Sequence, residues 1–590
     1  MSDPLHLTKR QQFELLRAQL DEVRQSFVGH WRDIAQVIRP RRIRTNTNDV
    51  NRGYKVNQNI VDNTATLASR TLRAGMMAGD TSPARPWFTL SISDRALAEV
   101  FSVKEWLDEV TDLMRDMFLK SNIYNALPVL YGDMGDFATG AMYIEEDEDA
   151  GIRATVFPIG SYWISTNEKG VVDTFYREFT MTVRQMISMF AKRTKDGEII
   201  WDNFSVRVRD FYDQRLLETR LDICHIVKPN EEFDPKAVEA KFKKFSSYYY
   251  ERGVTGQGSA QSSYLSNMDN DRYLRESGYD EFPFLVPRWE TTGEDSWGTD
   301  SPGMSSLGDI KQLQHGEKRG LQAIDKMVSP PMKGPTSLKN AKTSILPGDM
   351  TYTDEREGAT GFGPVYQVNP QIEKLEFKQE QVRQRIKRAY HEDLFRTLID
   401  DPRIQPRTAK EIEEKIKEKM TELGPVLGRL DQDLKTPLIN ISFSIMLKRG
   451  MIPIPPPELQ GQDLKVEYTS ILSQAQKLVG IGGLERFALF VGNMLAAMPN
   501  NPDILDRVDT DKLIEEYGGM TSMPLGVIRT DDDVAQIRQA RNEANAQAQR
   551  MAAMKEMAGA AKNLGQADLS EDTALSRLLT QAQAGQLVPQ

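Results

Sequence analysis

Two adjacent carboxylates, Asp400 and Asp401, open the loop DDPRIQPR at 400–407, and an acidic run, EEDED, covers Glu145 to Asp149. Paired carboxylates can hold a divalent ion for phosphodiester hydrolysis. Neighbours in a proline-flanked loop seldom converge on one ion, however, and EEDED lacks the spaced ligand order of a calcium loop. It reads as the charged tip of a hairpin. Cys224, the single cysteine, sits in RLDICHIV, whose apolar alternation predicts a buried strand thiol. The histidines His6, His30, His225, His315 and His391 stand singly, without ligand-like spacing. Met551, Met554 and Met557 read as packing or assembly residues rather than ligands. The chain has no G-x-x-x-x-G-K-[ST] loop, no G-x-G-x-x-G after a strand, no H-E-x-x-H and no G-x-S-x-G. The expectation is therefore no catalytic residue, no metal and no cofactor. A metal-dependent nuclease would have to rest on Asp400 and Asp401 alone.

Bulk properties narrow the classes further. The chain has 590 residues, 39% hydrophobic and 27% charged, which suits an ordinary folded protein divided into several subregions. One cysteine fits a reducing cytoplasm. The amino terminus lacks an apolar signal core. The most apolar segment, LERFALFVGNMLAAM at 484–498, is too short and too polar to span a bilayer, so no membrane partner is expected. A net charge of −10 argues against static wrapping of nucleic acid, though not against a surface past which nucleic acid slides.

The elements that must position these residues change character along the chain. Apolar residues from Phe13 to Ile38 recur at helical spacing until Pro40, followed by a basic, Asn-rich loop at 40–55 that reads as solvated or as a contact between subunits. Helical spacing returns at 59–79 and 102–120. From about 137 the period becomes that of strands: a hairpin around the acidic tip, then strands near 171–179, 205–212 and 215–229. A helical piece near 235–245 precedes YYYERGVTGQGSAQSSYLSN, which reads as an exposed loop, and a strand near 283 follows.

The region from 305 onwards is the most informative. A helix carrying Ile310, Leu313, Leu321 and Ile324 on one face is stopped by Pro330 and Pro331, which lack donors and crowd the preceding turn. A polar excursion bearing Lys333, Lys339 and Lys342 follows. A second helix over 371–399 then keeps Leu375, Val382, Ile386 and Tyr390 on one side, and would be about 43 Å long. Thr408 and Glu411 have capping-box spacing for a further helix. Helix continues to 450, an extended IPIPPPEL connector follows, and 466–516 reads as a helical block. The Ala/Gln/Met-rich segment 531–563 has high helix propensity behind an acidic start.

The stretches SPGMSSLGDIKQLQHGEKRGLQAIDKMVSPPMKGP, QIEKLEFKQEQVRQRI and RTAKEIEEK, with WRDIAQVIRPRR, VDNTATLASRTLRAGMMAG and PARPWFTL nearer the front, resemble the head-to-tail connector, or portal, family of short-tailed bacteriophages. The likeness extends to about residue 530. It implies an α+β portal-type fold, mainly helical, in a ring-forming subunit. A mixed α/β wing would cover 1–304, with stem helices at 305–328 and 371–399 and a clip between them at 329–370. A channel loop would fall at 400–408, connecting helices at 409–465, a crown at 466–530, a barrel helix at 531–563 and a loose tail at 564–590. The implied role is a conduit for double-stranded DNA, through which a separate ATPase drives the genome during packaging and by which it leaves at ejection. The ring, of about twelve copies, would sit at one capsid vertex of the virion at the head–tail junction after assembly in the host cytoplasm. Implied partners are other copies of the chain, the large terminase, scaffold and major capsid proteins, a tail adaptor or nozzle and internal core proteins. Arg403 and Arg407 would face DNA; Lys333, Lys339 and Lys342 would meet motor or tail proteins. No basic motif otherwise marks the channel. A ring adaptor that conducts no DNA shares most of these features.

Elementary geometry tolerates the conduit. Twelve helices spaced about 10 Å apart place their axes on a circle roughly 38 Å across, leaving about 28 Å once side chains are subtracted. A duplex roughly 20 Å wide passes with room for water, and a wall rich in carboxylates keeps it from sticking.

Overall fold

The first apolar stripe becomes α1, Lys9–Val37, burying Phe13, Val28, Trp31 and Ile34. The computed structural model describes residues 9–46, 53–92, 94, 97, 100–237, 239–252, 273–334, 339, 363–365, 372–399, 423–459, 464–470, 472–473, 487, 489–491 and 531–565. After a 3-10 turn at Pro40–Arg42 come α2 (Thr64–Gly79), β1 (Phe88–Ile92), α3 (Phe101–Lys120) and α4 (Ile123–Phe137). The sequence reading misses α4. Pro128 interrupts the expected pattern, and burial on almost every side leaves no amphipathic stripe to detect.

The β-rich part comprises β2 (Ala141–Asp147), β3 (Gly151–Phe157), β4 (Tyr162–Thr166), β5 (Val172–Thr182) and, beyond helix α5 (Val183–Phe190), the small hairpin of β6 (Lys192–Arg193) and β7 (Ile199–Ile200). Helix α6 (Val206–Asp213) leads to β8 (Arg220–Pro229), β9 (Phe245–Glu251), β10 (Arg275–Tyr279) and β11 (Phe284–Leu285). The last four and their partners make two antiparallel sheets, ordered β10-β9-β8-β5-β4 and β11-β2-β3. EEDED is the hairpin tip expected: Asp147 pairs with Gly151, and its carboxylate accepts from the backbone amides of Asp149 and Ala150.

Three expectations need correction here. The strand read at 205–212 is helix α6, because Val208, Phe211 and Tyr212 satisfy the helical period and pack on one apolar cluster. So short a run fits either period. The helical piece at 235–245 shrinks to a 3-10 turn, Ala240–Phe242. The tyrosines assigned to a loop continue β9 instead. Tyr248 and Tyr250 pack on Phe13 of α1, while Tyr249 turns to the other face of the sheet.

Helices dominate again after α7 (Pro302–Ser305): α8 (Leu307–Val328), α9 (Ile372–Ala389), α10 (Glu392–Ile399) and a continuous helical run at 423–448 that ends in α11 (Thr436–Lys448). Short strands β12 (Met332–Lys333) and β13 (Gly363–Pro364) pair between α8 and α9. The start of the block read as helical at 466–516 belongs to a strand, β14 (Leu464–Tyr468), which pairs with β1. Leu464, Val466 and Tyr468 face the core while Lys465 and Glu467 turn out, a period of two. Residues 484–590 form a second compact unit, in which α12 covers Asp531–Gly565.

His225 shows how the larger sheet tolerates a buried imidazole. Its Nδ1 accepts from Arg177 Nε at 3.0 Å, its Nε2 lies 3.1 Å from Ser247 Oγ, and its ring stacks on Tyr249 at 3.7 Å. Burial, reinforced by Arg177 and Arg275, holds its pKa well below the ordinary value of 6.5 and keeps the ring neutral. The unfolded chain therefore binds a proton that the folded chain refuses once pH falls below about 6.5. Thermal stability should fall as pH is lowered from 7.5 to 5.5, and His225→Gln should flatten that slope; an equally steep slope in the variant would remove His225 as its source.

Candidate functional site: a helical hairpin and its buried anchor

The segment that the sequence marks as unusual folds as a hairpin of α8 and α9, running antiparallel. Arg385 of α9 meets Asp309 near the start of α8 at 2.7 Å, while Arg383 pairs with Glu317, about two turns further along α8. The helices touch around Glu317 and Gly320. A methyl group on Gly320 would lie 3.3 Å from Leu375, and Gly316 opens onto Gln379. Gln314 reaches sideways, accepting from the amides of Val61 and Asp62 and donating to the Asp62 carbonyl, while Arg383 holds the Asp62 carboxylate at 3.0 Å.

The inner half of the hairpin is sealed in the core. Ile310, Leu313, Val382, Ile386 and Tyr390 are buried there, and Leu375 is half-buried. The outer half is bare in the single chain: Leu321 is 57% exposed, Ile324 40%, Val328 78% and Phe377 66%. Helix α8 ends at Val328, next to Ser329 and then Pro330 and Pro331, as the missing donors require. Lys333, in β12, and Lys339 are exposed; Lys342, Arg403, Arg407, Asp400 and Asp401 lie outside the described residues.

The returning rod is not the single 29-residue helix expected over 371–399. It divides between α9 and α10 at His391, whose φ of 51° is left-handed and cannot continue a helix. The division places Tyr390 against a buried carboxylate and Phe395 against α2. At Gly75 of α2 an added Cβ would lie 2.2 Å from the Phe395 ring, so only glycine admits this approach.

Asp136, on the last turn of α4, is that carboxylate. Tyr390 Oη donates to it at 3.0 Å, Ser69 Oγ of α2 at 2.9 Å and Arg39 at 3.2 Å. Arg39 also contacts Asp133, which Arg42 grips through two nitrogens. Burial raises the Asp136 pKa above the usual carboxylate value, against the pull of Arg39, Ser69 and Tyr390. The sequence reading places Arg42 in the 40–55 loop, read as solvated or as a contact between subunits, and singles out neither Arg39 nor the two aspartates. The signal available was two acids inside the apolar run IYNALPVLYGDMGDF, which demand buried partners.

A second anchor lies where the 423–448 helix widens into a π turn, Asp431–Lys435. Lys435 is buried with its Nζ 2.8 Å from Asp80 and 4.3 Å from the Tyr468 ring centroid. Burial works against its charge, but Asp80 and Asp431 outweigh it and raise its pKa. Cys224 is a buried strand thiol as expected; burial pushes its pKa up and leaves it protonated. No helix among the described residues is long and apolar enough to cross a membrane.

The model for the bacteriophage head to tail connecting protein family matches residues 10–528. The chain belongs to that family. The portal protein of Salmonella phage epsilon15 is 40% identical over 569 residues, covering 96% of this chain and 98% of that one. The probable portal protein of Bordetella phage BPP-1 is 38% identical over 558 residues, covering 95% and 96%. Among solved structures, a chain from the virion of a native gene transfer agent particle matches with a TM-score of 0.31 and 11% identity, covering 75% of this chain and 89% of that one.

Within this connector-family chain, the Asp136 cluster fixes where the hairpin leaves the body. Tyr390→Phe should cost about 1–3 kcal/mol by leaving a buried carboxylate short of a donor, and should raise the Asp136 pKa further. Denaturant unfolding at pH 7 reads the loss; an unchanged midpoint would show that the hydroxyl contributes nothing.

Proposed function

We propose that this chain is a portal subunit, a structural rather than catalytic protein. About twelve copies close a ring at one capsid vertex, and double-stranded DNA passes through the ring during packaging and again at ejection. The observation that carries this reading is end-to-end likeness, at 40% identity, to a protein named as the portal of phage epsilon15. The exposed apolar outer half of the α8–α9 hairpin supports it, because a lone chain would leave that surface in water.

In this reading α8 and the 371–399 segment are the stem, and 329–370 is the clip, rooted on the β12–β13 pair. Residues 1–304 are the wing, 400–408 the channel loop, 409–465 connecting helices, 466–530 the crown and 531–563 a barrel helix. The clip, with Lys333, Lys339 and Lys342, docks the large terminase and later a tail adaptor or nozzle. Scaffold, major capsid and internal core proteins contact the ring elsewhere. The ring is built in the host cytoplasm and remains in the virion at the head–tail junction.

Electron micrographs of the purified chain viewed down the symmetry axis test the assembly. Rings with a bore of at least roughly 20 Å, the width of a duplex, are expected; monomers or closed discs would defeat the conduit. Arg403→Ala/Arg407→Ala should lower packaged or retained genome while leaving ring yield unchanged. Packaging and retention equal to the unaltered chain would remove the pair from the channel.

A further inference from the structure

The two flanks of the α8–α9 hairpin carry opposite charge. At about 100° per residue, Leu313, Glu317 and Gly320 of α8 and Leu375, Gln379 and Arg383 of α9 occupy the contact between the helices. On one side of that contact Glu373, Glu376 and Glu380 line a groove beside exposed Phe377, and Leu321 and Val328 lie along the same side of α8. On the other side Arg319 and Lys326 of α8 stand with Lys374 and Lys378 of α9, all exposed. Lys318 and Asp325 sit at the outer edge of the acidic side and offset one another. Arg385, on the basic side, is already held by Asp309. Among the described residues, Glu373, Glu376, Lys326, Lys374 and Lys378 form no ion pair with the rest of the chain.

We infer that the occupant of each flank is the opposite flank of a second copy. The acidic groove around Phe377 receives the basic edge formed by Arg319, Lys326, Lys374 and Lys378 of the next hairpin. The argument deepens the portal reading and rests on it. A closed ring needs two different, mutually complementary faces on every subunit, and the hairpin presents one acidic and apolar and one basic. Phosphate would be repelled by the acidic flank, and water gains nothing from Phe377, Leu321 and Val328; a basic, long-stemmed protein edge satisfies both, since lysine and arginine stems cover apolar surface while their heads meet carboxylates. Repeated around the ring, the contact joins each stem to its neighbours on both sides and neutralises charge that the single chain leaves unpaired.

The test reverses the flanks one at a time in the full chain. Glu373→Lys/Glu376→Lys makes both flanks basic, and Arg319→Glu/Lys326→Glu/Lys374→Glu/Lys378→Glu makes both acidic. Each variant should show a roughly tenfold or greater loss of ring by sedimentation velocity and imaging, because like charges now face each other. The chain carrying all six changes should regain rings, and an equal mixture of the two single-flank variants should co-assemble. Circular dichroism and thermal melting check that each chain is folded. Rings at unaltered yield in either single-flank variant, or no recovery in a folded chain carrying all six changes, would overturn the seam while leaving the portal reading intact. Loss of double-stranded DNA binding by the variant with the acidified basic flank, with rings preserved, would assign that flank to nucleic acid and overturn it too. Absence of rings in the unaltered chain would sink both readings.

Discussion

A carboxylate sealed from water must find donors, and Asp136 finds them on three separate stretches of chain. Arg39 follows the first helix, Ser69 lies on α2 and Tyr390 stands at the break between α9 and α10. An ionised group in such a place is tolerable only when its partners are held in register. The chain therefore cannot shift the returning helix relative to α2 and α4 without exposing or orphaning a charge. That constraint fixes the direction in which the hairpin leaves the body, and everything the hairpin does at its far end is referred to this point.

The second anchor works by the same logic at the carboxyl end of α2, where Asp80 follows Gly79. Lys435 brings a cation to Asp80 from a π turn, where one extra residue in the helical ladder re-aims the side chain inward. Burial favours the neutral amine, yet the two carboxylates reverse that preference. Tyr468 covers the ammonium and ties β14 to the same cluster. The body is thus braced by buried charges at two places, each joining segments distant in sequence.

Much of this was legible from periodicity, and the failures have physical causes. The α1 stripe, the acidic hairpin tip and the stop before Pro330 follow from rules that act over a few residues. Helix α4 went unseen because burial all round removes the amphipathic signal, and α6 was read as a strand because eight residues satisfy two periods at once. The break at His391 is set by Tyr390 and Phe395 reaching partners on α4 and α2, far away in sequence, and no local rule announces it. In the site, Ile310, Leu313, Val382, Ile386 and Tyr390 lie on the stripes that periodicity marks and are buried. Leu321 and Ile324 share their stripe yet lie exposed, because the core ends before the helix does.

That mismatch between the length of the stripe and the extent of the core is where fold passes into function. A helix whose apolar face outruns its own core is stable in water only at a cost, since each exposed apolar side chain forgoes its transfer free energy. The inner turns of α8 and α9 are secured by the Asp136 cluster and by the Gln314 and Arg383 contacts, so the outer turns are held out rather than left free to collapse inward. Rigid projection of an apolar, charge-divided surface makes sense if another surface of fixed geometry completes it. In the proposed seam, identical copies supply that geometry without any further component, because every hairpin leaves its body at the same angle.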